Sequence, residues 1–150
     1  MLGLDPADLI ARAIVLIIAF TVHEFAHAFT ADYFGDDTPR SQGRLTLNPL
    51  AHLDPIGSLL LLVAGFGWAR PVQINPYILQ RHSPAAPMYV ALAGPLSNLI
   101  LAALAAIPLR FGLFDINLFD PGSRFFPETS YVLSWFVLLN LILILEKQRY

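Results

Sequence analysis

The chain has 150 residues, of which 56% are hydrophobic and 13% are charged, against about 45–50% and about 25% in ordinary soluble domains. This composition predicts one integral-membrane domain over residues 1–150 and argues against an ordinary soluble protein. The net charge of −2, without a basic cluster, argues against nucleic acid as a partner. The absence of cysteine excludes disulfides and thiolate zinc sites, so His, Asp or Glu must hold any metal.

Residues 9–29 form the first of four apolar segments and are long enough to cross a lipid bilayer as a helix. A secretory signal peptide is a poor interpretation, because two aspartates precede the apolar run where a signal peptide carries positive charge. The segment closes with His23, Glu24 and His27. Ionisable groups inside a membrane helix are costly and mark function by default.

The spacing of these three residues indicates the kind of function. His23 and His27 stand at positions i and i+4, so both imidazoles share a helix face and can bind one ion. Glu24 follows the first histidine, where zinc hydrolases carry their general base. We therefore predict a Zn²⁺ site with His23 and His27 as ligands and Glu24 as the base acting on zinc-bound water. The alternative is a set of hydrogen bonds within a helix bundle.

The polar connections carry further candidates. Residues 32–55 are predicted to be a loop with a strand-like stretch at 43–49, and residues 69–76 have the same pattern. Zinc hydrolases normally use three protein ligands, so His52 and Asp54 are candidate substitute ligands. For both we favour a loop role, with Asp54 capping a helix that starts near Pro55. His82 is predicted to lie in a loop.

The next two apolar segments differ in length. Residues 56–68 are short for a full span and predict a re-entrant or tilted helix. Residues 88–109 are longer, and Gly94-Pro95 is expected to interrupt them. Asn98 follows shortly afterwards. It would either contact substrate and the metal site or pack against another helix, and both interpretations stay open.

Residues 131–145 form the fourth apolar segment and contain Asn140, a second candidate for substrate or outer-sphere contacts. Helix packing is the favoured interpretation of Asn140. The four segments predict an all-α membrane protein with about four transmembrane or re-entrant helices and short strand-like loop segments. Basic residues divide evenly between the two sides, so they do not indicate an orientation.

These motifs together resemble the site-2 protease family of intramembrane zinc metalloproteases, especially compact bacterial members without a PDZ domain. The resemblance covers about residues 9–145 and rests on His23-Glu24-Phe25-Ala26-His27, residues 43–57, residues 67–76, and Gly94-Pro95-Leu96-Ser97-Asn98. It implies that His23 and His27 bind zinc and that Glu24 is the base. It also implies a multi-pass protein of a bacterial cell membrane, in contact with the lipid bilayer, whose substrates are membrane-spanning proteins.

One feature departs from the family pattern. The family takes its third ligand from a late Leu-Asp-Gly motif, whereas here residues 140–145 are followed by Glu146-Lys147-Gln148-Arg149-Tyr150. We therefore expect a C-terminally truncated member that lacks the ligand segment. Three hypotheses follow: an intramembrane zinc endopeptidase, a non-catalytic relative that acts as a membrane binding protein, and, less favoured, a metal transporter. The oligomeric state stays open.

Overall fold

The computed structural model describes residues 6–64 and 68–110, with side chains for residues 13–60, 63 and 68–104. In this part of the chain the elements follow in the order α1 (Pro6–Tyr33), α2 (Thr38–Ser41), a 3-10 turn (Pro49–Ala51), α3 (Pro55–Ala64), α4 (Pro76–His82) and α5 (Ala86–Arg110). The prediction of a mostly helical chain is confirmed for these residues. The fourth apolar segment, with Asn140, lies outside them.

Two of the helices are long and apolar enough to cross a membrane. These stretches are Ala13–Tyr33 in α1 and Ala86–Leu104 in α5. One face of α5 is apolar and exposed: Leu92, Leu96 and Leu99 expose 51%, 56% and 63% of their surface. A helix that is apolar on its exposed face as well as on its packed face is typical of a membrane span. Length and exposure together therefore favour a membrane location for both helices.

Helices α1 and α5 pack against each other in antiparallel directions. Contacts along α1 from residue 31 back to residue 23 meet α5 residues that rise from 86 to 98. Ala28 and Ala31 are fully buried on α1, and Val90 and Gly94 are buried on α5. Small side chains let two membrane helices approach closely, so van der Waals packing can hold them together without a water-driven hydrophobic effect.

The end of α1 is set by a glycine. Gly35 has a φ of 84°, and its N–H and that of Asp36 donate to the carbonyls of Asp32 and Ala31, both at 3.0 Å. This pair of hydrogen bonds is the Schellman motif, which closes a helix through a left-handed residue. The chain therefore turns sharply after Tyr33 and brings Asp36 under the helix end.

Asp36 links three elements through one buried carboxylate. Its Oδ1 accepts from the backbone N–H of Thr38 at 3.1 Å and from the Thr38 hydroxyl at 2.5 Å. Its Oδ2 accepts from the backbone N–H of Asn75 at 2.6 Å, and Asn75 in turn caps α4. A buried charge persists only when hydrogen bonds satisfy it. Asp36 therefore holds α2 and the start of α4 against the end of α1.

The strand-like prediction for residues 43–49 and 69–76 is wrong for the described residues, where the β pairing consists of one antiparallel bridge between Leu53 and Ala69. Local side chains take the backbone donors that a strand ladder needs. The Thr46 hydroxyl accepts from the N–H of Asn48, and the Asn48 side chain accepts from Leu50. Such turns compete with strand pairing.

Two further expectations are corrected. Gly94-Pro95 does not interrupt the third apolar segment, since α5 runs through both residues. Proline is tolerated in membrane helices when neighbouring groups or small local adjustments satisfy the freed backbone. Nearby, Ser97 Oγ donates to the carbonyl of Gly94 at 2.7 Å. His82 is the last residue of α4 rather than part of a loop, and its ring lies edge-on to Phe34.

Replacing Asp36 with asparagine should lower the free energy of unfolding by about 2 kcal/mol, because one acceptor oxygen would become an amide that faces a backbone donor. Thermal unfolding in detergent measures the change. The matched control is Asp37→Asn at the exposed neighbouring position. Equal stability of both variants would contradict the linking role of Asp36.

Candidate metal centre

The three residues singled out at the end of the first apolar segment form one buried cluster. His23, Glu24 and His27 expose 3%, 5% and 2% of their surface. Their potential ligand atoms all lie within 4.8 Å of one another. The two Nε2 atoms are 3.0 Å apart, as the i, i+4 spacing on α1 predicts. Among the described residues, no other His, Asp or Glu joins this cluster.

His27 Nδ1, the ring nitrogen that does not face His23, forms a hydrogen bond with the backbone of α5. His27 Nδ1 lies 2.6 Å from the carbonyl oxygen of Val90. A carbonyl can only accept, so the ring must donate its Nδ1–H, and the lone pair of the neutral imidazole is then on Nε2. Such outer-sphere hydrogen bonds set the tautomer and orientation of metal-binding histidines. The Val90 carbonyl therefore prepares His27 to bind a metal through Nε2.

His23 Nδ1, the ring nitrogen that does not face His27, lies beside a side chain of α5. Asn98 Nδ2 lies 3.3 Å from His23 Nδ1, and Asn98 is buried, with 4% of its surface exposed. With the amide turned by 180°, its oxygen would accept the Nδ1–H of His23 and leave the Nε2 lone pair for an ion. Asn98 therefore contacts a residue of the cluster, and its role toward the metal stays a prediction.

Glu24 is held from a different direction. Its Oε2 accepts the backbone N–H of Val72 at 2.9 Å, in the irregular segment that precedes α4. Val72 itself is buried, with 4% exposed. This contact fixes the carboxylate beside the two imidazoles and joins residues 68–75 to the metal centre. The backbone N–H of Val72 thus serves Glu24 instead of a strand ladder.

The cluster fits a tetrahedral zinc ion by the chemistry of its donors. Zn–N bonds of about 2.0–2.1 Å at tetrahedral angles bring two ligating nitrogens to roughly 3.3 Å from each other. The observed separation of the two Nε2 atoms is 3.0 Å, so the two imidazoles need to move only slightly apart to bind one zinc ion. Neutral imidazoles are ligands that zinc accepts, and the Glu24 carboxylate lies beside them as a base.

The two candidate substitute ligands lie outside the cluster. His52 is buried, and its Nε2 bonds to the Thr46 carbonyl at 2.7 Å. Asp54 Oδ1 accepts from the N–H groups of Ile56 at 3.1 Å and Gly57 at 2.9 Å, at the start of α3. The favoured loop roles of both residues agree with these contacts. Asp54 is the helix cap expected from its place before Pro55.

The sequence analysis did not identify three groups that contact the cluster. The Val90 carbonyl and the Val72 N–H are backbone groups, which carry no signature of residue type. Gly94 faces the two imidazoles, and its signal was a glycine inside an apolar helical segment, where glycine is unfavourable without a packing or functional reason. The sequence analysis used Gly94 as part of an expected helix interruption and of a family motif, and gave it no part in the metal centre.

Comparison with known proteins finds several relatives. The chain is 47% identical over 88% of its length to "Putative zinc metalloprotease YwhC" of Bacillus subtilis. It is 42% identical over 59% of its length to "Putative zinc metalloprotease Rip2" of Mycolicibacterium smegmatis, and 37% identical over 66% of its length to the protein of the same name in Mycobacterium tuberculosis. The matches span 59%, 35% and 39% of these relatives. No protein-family model matches the chain, and no solved structure matches it.

A buried His-Glu-His cluster on one helix is the arrangement in which zinc hydrolases hold their metal and general base, and here it lies on a helix long enough to cross a membrane. The chain is similar over 88% of its length to a protein named a zinc metalloprotease, and this similarity agrees with the resemblance to the site-2 protease family. It spans less than two thirds of the length of the relatives it matches.

Replacing Asn98 with leucine should weaken zinc binding about 10- to 100-fold, because His23 loses the amide that orients its ring. Equilibrium dialysis of the purified protein against buffered zinc measures this affinity. Ser97→Ala is the control on the same helix turn, and it should bind zinc as the parent does. Unchanged affinity in Asn98→Leu would reduce Asn98 to a packing residue.

The stability of the loop around His52 should fall as the pH drops below about 6.5, the ordinary pKa of histidine. Burial lowers the pKa of His52 and the nearby Arg44 lowers it further, while the hydrogen bond to Thr46 opposes this. In this range the unfolded chain binds more protons than the folded chain, so the free energy of unfolding rises with pH. For one proton the slope cannot exceed about 1.4 kcal/mol per pH unit.

Thermal unfolding of the parent and of His52→Gln between pH 5 and pH 8 tests this sign, with about one pH unit between points. Glutamine keeps a donor for the Thr46 carbonyl but does not titrate. The variant should therefore lose part of the pH dependence. His82→Gln, at an exposed position, should retain it. The idea is wrong if His52→Gln keeps the full slope.

Proposed function

We propose that the protein is an intramembrane zinc endopeptidase that hydrolyses peptide bonds of membrane-spanning substrates. The observation that carries the proposal is the buried cluster of His23, Glu24 and His27 on α1, with ligand atoms within 4.8 Å of one another. The zinc metalloprotease names of the relatives support the choice of metal and reaction class. The apolar exposed face of α5 supports catalysis at membrane depth.

Zinc bound at this centre would supply a Lewis acid that polarises the scissile carbonyl and makes a water molecule acidic. His23 and His27 would hold the metal through Nε2, with Asn98 and the Val90 carbonyl orienting the two rings. Glu24 would take a proton from the attacking water and deliver it to the leaving amine. The N–H of Val72 orients this carboxylate through Oε2.

The substrate would have to be extended before it can be cut. A membrane-spanning helix hides its amide groups in internal hydrogen bonds, so the scissile bond becomes accessible only where the helix unwinds. Residues 68–75 are irregular and connect to Glu24 through Val72, and Arg70, Pro71 and Gln73 are exposed along them. We expect an unwound substrate to lie along this segment in the manner of an added strand.

Glu24→Gln should lower substrate cleavage at least about 100-fold, because the glutamine side chain cannot accept the proton. Its carbonyl oxygen can still accept from Val72, so the fold and the zinc content should match those of the parent. The assay follows cleavage of a membrane-spanning reporter in proteoliposomes by gel mobility, with zinc measured by mass spectrometry. Phe29→Ala, at an exposed position on α1, is the control that should keep cleavage.

His23→Ala provides a second arm, since it removes a ligand rather than the base. It should lose both zinc and cleavage. If Glu24→Gln cleaves as well as the parent, the proposed function is wrong. If the parent binds zinc but never cleaves, the protein is a non-catalytic relative that binds partners in the membrane.

A further inference from the structure

The face of α5 that covers the metal centre has a gap at its middle. Val90, Gly94 and Asn98 follow at four-residue intervals, so they lie on one helix face. The Val90 carbonyl contacts His27, and the Asn98 amide contacts His23. The middle position has no side chain, although alanine is the better helix former. A glycine at this position is therefore expected to have a steric or functional reason.

The surroundings of Gly94 supply that explanation. A Cβ added there would lie 2.6 Å from His23 Nε2 and 2.7 Å from His23 Cε1, and it would also collide with His27 Nε2. Contacts below 3.0 Å are essentially never seen for real Cβ atoms. A methyl group at position 94 would thus collide with the Nε2 atoms of His23 and His27, which an ion must contact.

The helix has no easy way to make room. Shifting α5 outward or along its axis would break the hydrogen bond of Val90 at 2.6 Å and would separate Asn98 from His23, now at 3.3 Å. These contacts lie one turn before and one turn after Gly94. A methyl group could be accommodated only if the imidazoles rotated away, and rotation would remove their Nε2 lone pairs from a common point.

We infer that Gly94 is a positioning residue that reserves the space for the metal ion, so that any side chain at position 94 prevents metal binding while all ligands remain. This inference rests on the metal centre of the proposed function but does not require proteolysis. It assigns to α5 a steric part in metal binding, beside the hydrogen bonds that it makes to the histidines.

The test compares zinc binding by the full-length parent and Gly94→Ala in detergent. Equilibrium dialysis with buffered zinc should show at least a 10-fold loss of affinity in Gly94→Ala, with helix content unchanged by circular dichroism. Leu92→Ala, at an exposed position on the same helix, should bind zinc as the parent does. Zinc should also raise the unfolding temperature of the parent but not that of Gly94→Ala.

A second arm covers a variant that fails to fold. In a His23→Ala/His27→Ala background the imidazoles are absent, so Gly94→Ala should be tolerated there and should lower the unfolding temperature only when the histidines are present. Such a dependence isolates the contact between position 94 and the rings. A loss of folding in both backgrounds would overturn the inference.

The remaining outcomes are also decisive. Equal zinc affinity in the parent and Gly94→Ala would overturn the inference, and so would a parent whose zinc binding does not depend on His23 and His27. The parent could bind zinc but cleave no substrate, while Gly94→Ala loses zinc binding. This result would support the inference and contradict only the proposed function.

Discussion

The close approach of α5 to the histidine face of α1 is the constraint on which the rest of the described structure depends. The Val90 carbonyl meets His27 at 2.6 Å, and small residues on both helices allow the backbones to come that near. Buried imidazoles are tolerated because hydrogen bonds satisfy them. The contact that packs the two helices is thus the same contact that orients the candidate ligands.

The parts that the sequence predicted correctly are those with a local physical cause. A long apolar run predicts α1, and the i, i+4 spacing brings His23 and His27 together with Glu24 beside them. Asp54 before Pro55 is a local helix-start signal and lies as a cap. Each of these depends on a few neighbouring residues, so no knowledge of the tertiary structure is needed.

The parts that failed depend on local turns formed by side chains, on contacts distant in sequence or on backbone groups. The alternation at residues 43–49 resembles a strand, but Asn48 and Thr46 use their side chains to form turns. Gly94-Pro95 resembles a helix break, but α5 continues through both residues and packs against α1. The partners of Glu24 and His27 are a backbone N–H and a carbonyl, which any residue could supply.

The separation of α1 from α5 along the chain has a consequence for biosynthesis. The ribosome must add 63 residues after His27 before it reaches the carbonyl that His27 binds. During that interval α5 cannot yet cover the two imidazoles and the carboxylate of α1, and such groups are costly at membrane depth. In a membrane, α1 alone would therefore be less stable than α1 packed against α5.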